Sequence, residues 1–417
     1  MTHHPHIPNH PARATAVASA KAASTGTDSA ALAGQLRGRA GAGLTRRGLL
    51  ALGGAALAAP LLGRPVQAMP DGAQITRMAR GLDEPWSLAF LPDGAFLVTE
   101  RDGRLSLFSP QGGQPVSVAG VPEVAARGQG GLFDVMVPRD FASTRAVYLV
   151  WAKRQRGGAG TALGVGRLTE TGDRLEDFQV VFEMAAGTSG GRHFGGRVVE
   201  MPDGTLVLTT GDRGDRPTAQ DLASHAGKLI RLNRDGSVPP DNPFLGRADL
   251  VLPEILSYGH RNAQGLALDA QGQLWTSAHG ARGGDEVNLI QPGANYGWPV
   301  ISYGRHYSGL RIGEGSEKPG MEQPKHYWDP SIAPSGHAIL SDRMFPEWAG
   351  RHVIGSLKFD YIAVLDPRVP AETGWAETPI KSAETRRVRD VREAPDGAIW
   401  FLSVGQGAVY RIGRGTA

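Results

Sequence analysis

Leu88–Phe108 reads LAFLPDGAFLVTERDGRLSLF. Apolar residues alternate on either side of Pro92-Asp93-Gly94: Leu88 and Phe90 before it, Phe96 and Val98 after it. A period of two marks strands with one face buried, and Pro-Asp-Gly between them is turn chemistry, so the stretch predicts a β-hairpin. The same unit returns as VMVPRDFASTRAVYLVWA from Val135, VVEMPDGTLVLTTGD from Val198 and LALDAQGQLWTSAHG from Leu266. It returns again as AILSDRMFPEWAGRHVIGSL from Ala338 and VREAPDGAIWFLSV from Val391. Six copies, irregularly spaced at roughly 45–75 residues, predict an all-β, six-bladed β-propeller with four-stranded antiparallel blades. A β-sandwich also alternates, but it does not need a repeated Pro-Asp-Gly hairpin. No long amphipathic helix is expected after Ile75. Connections around Gly157–Gly164, Asp235–Arg247 and Tyr303–Pro330 are expected to be loops that carry function.

The 417 residues contain no cysteine, which removes disulfides, thiolate metal sites and cysteine nucleophiles. Oxygen and imidazole ligands remain available. The formal charge of +3 is unevenly placed. Residues 1–68 hold seven Lys/Arg and one Asp, or +6, which leaves −3 for the remainder. That balance argues against a nucleic-acid partner. Thr45-Arg46-Arg47-Gly48-Leu49-Leu50 opens an apolar run ending at Val66-Gln67-Ala68, the pattern of a twin-arginine export signal with a small-residue cleavage site. The run is short and broken by Gly53, Gly54 and Pro60, so cleavage is favoured over a membrane anchor, and no stable membrane insertion is expected. The expected organisation is a disordered 1–44 extension, a 45–68 signal peptide and a single periplasmic six-bladed propeller domain over 69–417.

Chemistry concentrates between Glu254 and Trp298. Gly259-His260-Arg261-Asn262 sets a guanidinium beside an amide, and Asp285-Glu286 follows a glycine-rich loop from His279 to Gly284. Asn295-Tyr296-Gly297-Trp298 is an aromatic turn. Upstream, Gln129 sits in Arg127-Gly128-Gln129-Gly130-Gly131, and His193 in Gly191-Arg192-His193-Phe194-Gly195-Gly196, each among glycines that admit a ligand close to the backbone. Histidine accepts a proton near neutral pH. Asp212 and Asp215 in Thr210–Asp215 read better as turn caps than as ligands. Arg387 and Arg389 are two apart and so are expected on one strand face.

The stretches GHRNAQGL from Gly259, HGARGGDEVNLI from His279 and NYGWP from Asn295 resemble the soluble pyrroloquinoline quinone (PQQ) glucose and aldose sugar dehydrogenases, and the resemblance runs from about Ile75 to Ile412. It implies that His193 is the general base on the sugar C1 hydroxyl, that Gln129 contacts sugar and quinone, and that Arg261 and Asn262 polarise the quinone. It further implies cofactor contacts from Tyr307, Ser331, Lys358, Arg387 and Arg389. The carbonyls of Gly280 and Ala281, supported by Asp285, match those that hold a PQQ-bound calcium (Ca2+). Glu286 and the Tyr296 carbonyl match a second, structural calcium site. The glucose branch has an acidic residue where Arg192 stands and proline where Ala281 stands, which favours the broader aldose branch. The implied partners are an aldose substrate and an external electron acceptor, whether quinone, cytochrome or dye. A calcium-dependent lactonase propeller and a non-catalytic binding propeller are the alternatives, and Lys358, Arg387 and Arg389 count against the first.

Overall fold

Each repeated hairpin becomes the inner half of one blade. In the computed structural model, which describes residues 69–415 apart from 248 and 249, the strands form six four-stranded antiparallel sheets. The extension and export signal expected over 1–68 lie outside the described residues. The turns repeat in detail. Gly94, Gly204 and Gly397 take φ of 84°, 86° and 84°. Asp93, Asp203 and Asp396 each accept a hydrogen bond from the N–H two residues on, at 3.0, 2.9 and 3.0 Å. Left-handed φ is the reason for glycine there, and the Asx bond is the reason for aspartate.

The first strands of the blades are Pro85–Phe90, Leu132–Met136, Gly195–Glu200, Ala263–Leu268, Pro334–Ile339 and Val388–Glu393. They pack side by side in a ring, sixth against first. The sixth blade is completed from the other end of the chain: Ala73–Arg80 pairs antiparallel with Ala408–Arg414, from Ala73 opposite Arg414 to Arg80 opposite Ala408. Between blades the apolar faces interlock. Phe96 stacks on Phe108 with ring centroids 5.0 Å apart, and Trp400 meets Phe96 edge-on at 5.0 Å across the joint between the first and sixth blades. Full burial of a side chain of this size contributes roughly 1.5–3 kcal/mol.

Charge fills the middle of the ring. Arg197 Nη1 lies 2.9 Å from Asp390 Oδ1 and 3.3 Å from Asp134 Oδ1. Arg392 reaches Asp134 at 2.6 Å and Asp390 at 3.0 Å. Two guanidinium groups and two carboxylates thus balance, all four on the first strands of the second, third and sixth blades.

Two sequence expectations change. Gly157–Gly164 is not a functional loop: Gly158–Leu168 is a strand, with Thr161 and Leu163 fully buried. Its glycines leave room for a neighbouring ring, since a Cβ on Gly164 would stand 2.7 Å from Phe178 Cε1. Arg387 and Arg389 do not share a strand face, because the strand begins at Val388 and Arg387 takes φ 52° just before it. The described residues contain a single one-turn α-helix, Phe141–Thr144, and no helix long and apolar enough to cross a membrane.

Candidate active site

A cavity of about 1300 Å³ opens where the blade loops converge. Its lining includes Gln129, His193, Arg261, Asn262, Gly280 and Ala281, with Tyr307, Ser331, Lys358, Arg387 and Arg389 opposite or beside them. Of the residues singled out from sequence, Asp285, Glu286 and Tyr296 do not line it.

His193 is held from four directions. Its backbone takes the left-handed φ of 55°, which costs energy for a side-chain-bearing residue and persists only when surroundings enforce it. Its N–H donates to Gln129 Oε1 at 2.8 Å, and its carbonyl accepts from Arg213 N at 3.3 Å. A Cβ on Gly211 would lie 1.9 Å from that carbonyl, so only glycine fits there. The ring Nδ1 bonds Asp212 Oδ1 at 2.6 Å. Among the described residues Nε2 has no hydrogen-bond partner, so it is the atom left for a ligand. Burial pushes the His193 pKa down, and the Asp212 bond opposes that while Arg261 adds to it. The net shift is downward, so the ring is a neutral proton acceptor at neutral pH.

Asp212 corrects the sequence reading. It caps its turn, accepting from Gly214 N at 2.7 Å, but it is also a fully buried carboxylate that accepts from His193 Nδ1 and from Trp298 Nε1 at 2.8 Å. Burial alone would raise its pKa; the His193 bond, the Gly214 N–H and Arg261 outweigh it, and the net shift is down. Asp212 is therefore an anion that fixes the tautomer of His193 with Nδ1–H toward itself.

Arg261 lies across from this pair, its guanidinium 5.4 Å from the Trp298 ring centroid and its Nη1 3.4 Å from the His279 carbonyl. Its buried Nε has no partner. Asn262 Oδ1 accepts from Gly195 N at 3.0 Å, and its N–H₂ group has no partner among the described residues. Trp86, Gln264 and His279 also line the cavity and were not singled out from sequence. Arg389 is held over them: Nη1 donates to Gln264 Oε1 at 2.8 Å and the guanidinium sits 5.7 Å from the Trp86 ring. Burial, then Arg197 and Arg387, bring the Arg389 pKa down to about 9, still cationic at neutral pH. No carboxylate pairs with Lys358 or Arg387 among the described residues.

Asp285 and Glu286 part company because neighbours on a strand face opposite ways. Asp285 accepts from Gly280 N at 2.7 Å, Ser331 Oγ at 2.6 Å and Ala333 N at 2.8 Å, so it ties the 280–284 loop to the 331–333 loop. The Ser331 hydroxyl proton is spent on that tie. Glu286 faces a second, enclosed cavity of about 20 Å³ shared with Asn288, Ser302 and Trp298. Burial pushes its carboxyl up to about 7, and the Asn288 amide donates to it at 3.1 Å. Asn288 Oδ1 is buried there with no partner. Tyr296 does not border this cavity; its hydroxyl donates to Leu289 O and accepts from Gln291 N. Among the described residues no group of three or more His, Asp or Glu side chains could hold a metal, so a cation here would need carbonyl or amide oxygens beside any carboxylate.

Residues 82–411 match the family model described as Glucose / Sorbosone dehydrogenase. The chain belongs to that family. Aldose sugar dehydrogenase YliI of Escherichia coli K12 is 41% identical over 341 residues, 81% of this chain and 91% of that protein. The crystal structure of the soluble aldose sugar dehydrogenase from Escherichia coli in the apo-form has a TM-score of 0.78 and 40% identity, covering 82% of this chain and 100% of that one. The PQQ-bound aldose sugar dehydrogenase of Streptomyces coelicolor has a TM-score of 0.68 and 28% identity, covering 82% of this chain and 98% of that one. In this member of the glucose/sorbosone dehydrogenase family, then, the six-bladed frame carries a cation-rich cavity around one oriented histidine.

Proposed function

We propose that this dehydrogenase oxidises the anomeric carbon of an aldose to its lactone, using pyrroloquinoline quinone with calcium. The observation that carries this reading is the His193–Asp212 pair: a neutral imidazole, anchored through Nδ1, with Nε2 free at a cavity that also holds Arg261 and Asn262. His193 Nε2 takes the proton of the C1 hydroxyl as hydride leaves C1, and Asp212 stabilises the imidazolium that forms. When bound, the quinone supplies an electrophilic carbon that accepts that hydride. The Arg261 guanidinium and the Asn262 N–H₂ group are donors for the oxygen on which negative charge grows. Gln129 holds His193 through its carbonyl oxygen and keeps its amide N–H₂ for sugar or quinone.

The residues present fit the cofactor. Lys358, Arg387 and Arg389 are cations on the cavity wall without carboxylate partners, as a molecule with three carboxylates requires. Tyr307, 73% exposed at the rim, offers a ring face. Calcium would be held through the carbonyls of Gly280 and Ala281, with Asp285 bracing their loop. The small cavity with Glu286 and the orphaned Asn288 Oδ1 suits a second divalent ion, since a hard cation takes just such oxygens. The export motif at Thr45–Leu50 supports a periplasmic location, with electrons passed to an external quinone, cytochrome or dye.

The test starts from the full chain purified without cofactor. Dye reduction by aldoses is expected only after addition of both PQQ and calcium. His193→Ala is expected to lower kcat by about 10²–10⁴-fold while quinone binding, read by its absorbance, persists. Absence of quinone binding at micromolar concentration would overturn the reading and put a lactonase or binding propeller in its place.

A further inference from the structure

The cavity carries more positive charge than the proposed cofactor uses. Seven Lys or Arg side chains line it against two carboxylates, Glu84 and Asp329. Arg101 is paired with Glu84, Nε donating at 2.7 Å. With Arg261 assigned to the quinone oxygen and Lys358, Arg387 and Arg389 to carboxylates, two remain: Arg282 and Arg305.

These two are set against each other. Arg282 N donates to Arg305 O at 3.1 Å, and Arg305 N to Arg282 O at 3.3 Å, an isolated antiparallel bridge. Directly opposed residues put their side chains on one face, within about 5 Å at Cβ, and like charges so placed repel. Arg311 pairs with Arg305 on its other side and extends the row. All three side chains are exposed, and no ion pair neutralises any of them among the described residues. The close approach is built in. A Cβ on Gly284 would stand 2.3 Å from Gly304 N, and one on Gly304 2.3 Å from Gly283 O. Glycines thus hold together two segments whose side chains repel, at the rim of a cavity containing the proton acceptor.

We infer that Arg282 and Arg305, with Arg311 beside them, form an anion subsite for the substrate: the preferred aldose carries a carboxylate or phosphate remote from C1. Paired guanidinium groups match such planar or tetrahedral oxyanions. This rests on the dehydrogenase reading for the word substrate, though not for the anion site itself.

Methyl glycosides have no C1 hydroxyl and cannot be oxidised, so they report binding alone. Calorimetry on the full chain loaded with PQQ and calcium would compare methyl glucuronide, methyl glucoside 6-phosphate and methyl glucoside. If the chain takes up no PQQ, the same titrations are run on the bare chain. At least one charged glycoside is expected to bind about tenfold more tightly than the neutral one, and which one does so distinguishes carboxylate from phosphate. The R282Q/R305Q variant keeps the main-chain bridge. It is expected to remove that difference while leaving neutral-sugar and PQQ affinity within about twofold, and about 0.5 M salt should narrow it in the wild type. In turnover, kcat/KM for glucuronate or glucose 6-phosphate should fall about tenfold in the variant and that for glucose should not. Equal binding of charged and neutral glycosides would overturn the inference. So would a fall in PQQ affinity, which would give the pair to the cofactor, or a defect seen only with an acidic protein acceptor. Tighter binding of charged glycosides without oxidation of any aldose would sink the dehydrogenase reading and leave the anion subsite standing.

Discussion

The work of His193 is set by its neighbours. Asp212 raises the affinity of His193 for a proton, against burial and Arg261 which lower it. Asp212→Asn removes the anion while keeping size, so two effects should appear together. The limiting kcat should drop about 100-fold or more, because the tautomer and the imidazolium both lose support. The acid limb of kcat/KM against pH should move to lower pH, since the group that raised the pKa is gone. A variant with lower kcat but an unmoved limb would make Asp212 a packing residue only. Sequence revealed His193 through its flanking glycines. It concealed what Asp212 does, because its side-chain partners are 19 and 86 residues away and its Thr-Gly-Asp setting is also that of an ordinary turn. Ser331 was reached only through the family resemblance, and nothing local showed that Asp285 claims its hydroxyl.

Among the blades, the fifth contains an acid-sensitive joint. His337 on its first strand and His352 on its second share one hydrogen bond, Nε2 to Nδ1 at 2.9 Å, and His352 is packed between Trp275 and Trp375 at 4.8 and 4.7 Å. Burial, opposed by Asp269 and aided by His326, brings the His352 pKa down to about 4; burial and then His352 push His337 well below its usual range. Both are neutral when folded but protonate near pH 6.5 when unfolded. The stability they permit is therefore full above about pH 6.5 and is lost as pH falls toward 4, by about 3 kcal/mol for His352 alone. The thermal midpoint should follow that window, and a His337→Leu/His352→Phe double substitution should make it shallower, with buried His260, His279 and His326 supplying the rest. An unchanged slope would place the acid sensitivity elsewhere. The hairpins themselves were readable because apolar alternation and Asx-Gly turns are local; the strand at Gly158–Leu168 was not, because its glycines answer to the Phe178 ring rather than to a turn.

At the scale of the whole ring, the buried charges at its centre join blades that apolar packing alone would leave free to slide. Arg197 is 1% exposed and touches Asp134, Asp390 and the carbonyls of Gln264 and Arg389, so one side chain contacts four blades counting its own. Arg197→Met should destabilise the fold by about 3 kcal/mol or more, because a buried carboxylate pair then shares a single guanidinium. Denaturant unfolding would measure it; a loss below about 1 kcal/mol would mean that Arg392 alone suffices. No sequence rule identified this cluster: Asp134 is a lone charge in the strand LFDVM, Arg197 stands among glycines and valines, and Asp390 is hidden among the other charges of VRDVRE.

The sixth blade takes its outer strand from Ala73–Arg80 and its other three from the last residues of the chain. Until both of those ends are made, the molecule is an open arc, and a chain cut short of Ala408 has no seam to close. Residues around the cavity run from Glu84 to Arg389, so a chain that stops short of Arg389 holds no finished pocket, and capture of a small ligand waits on nearly the whole ring.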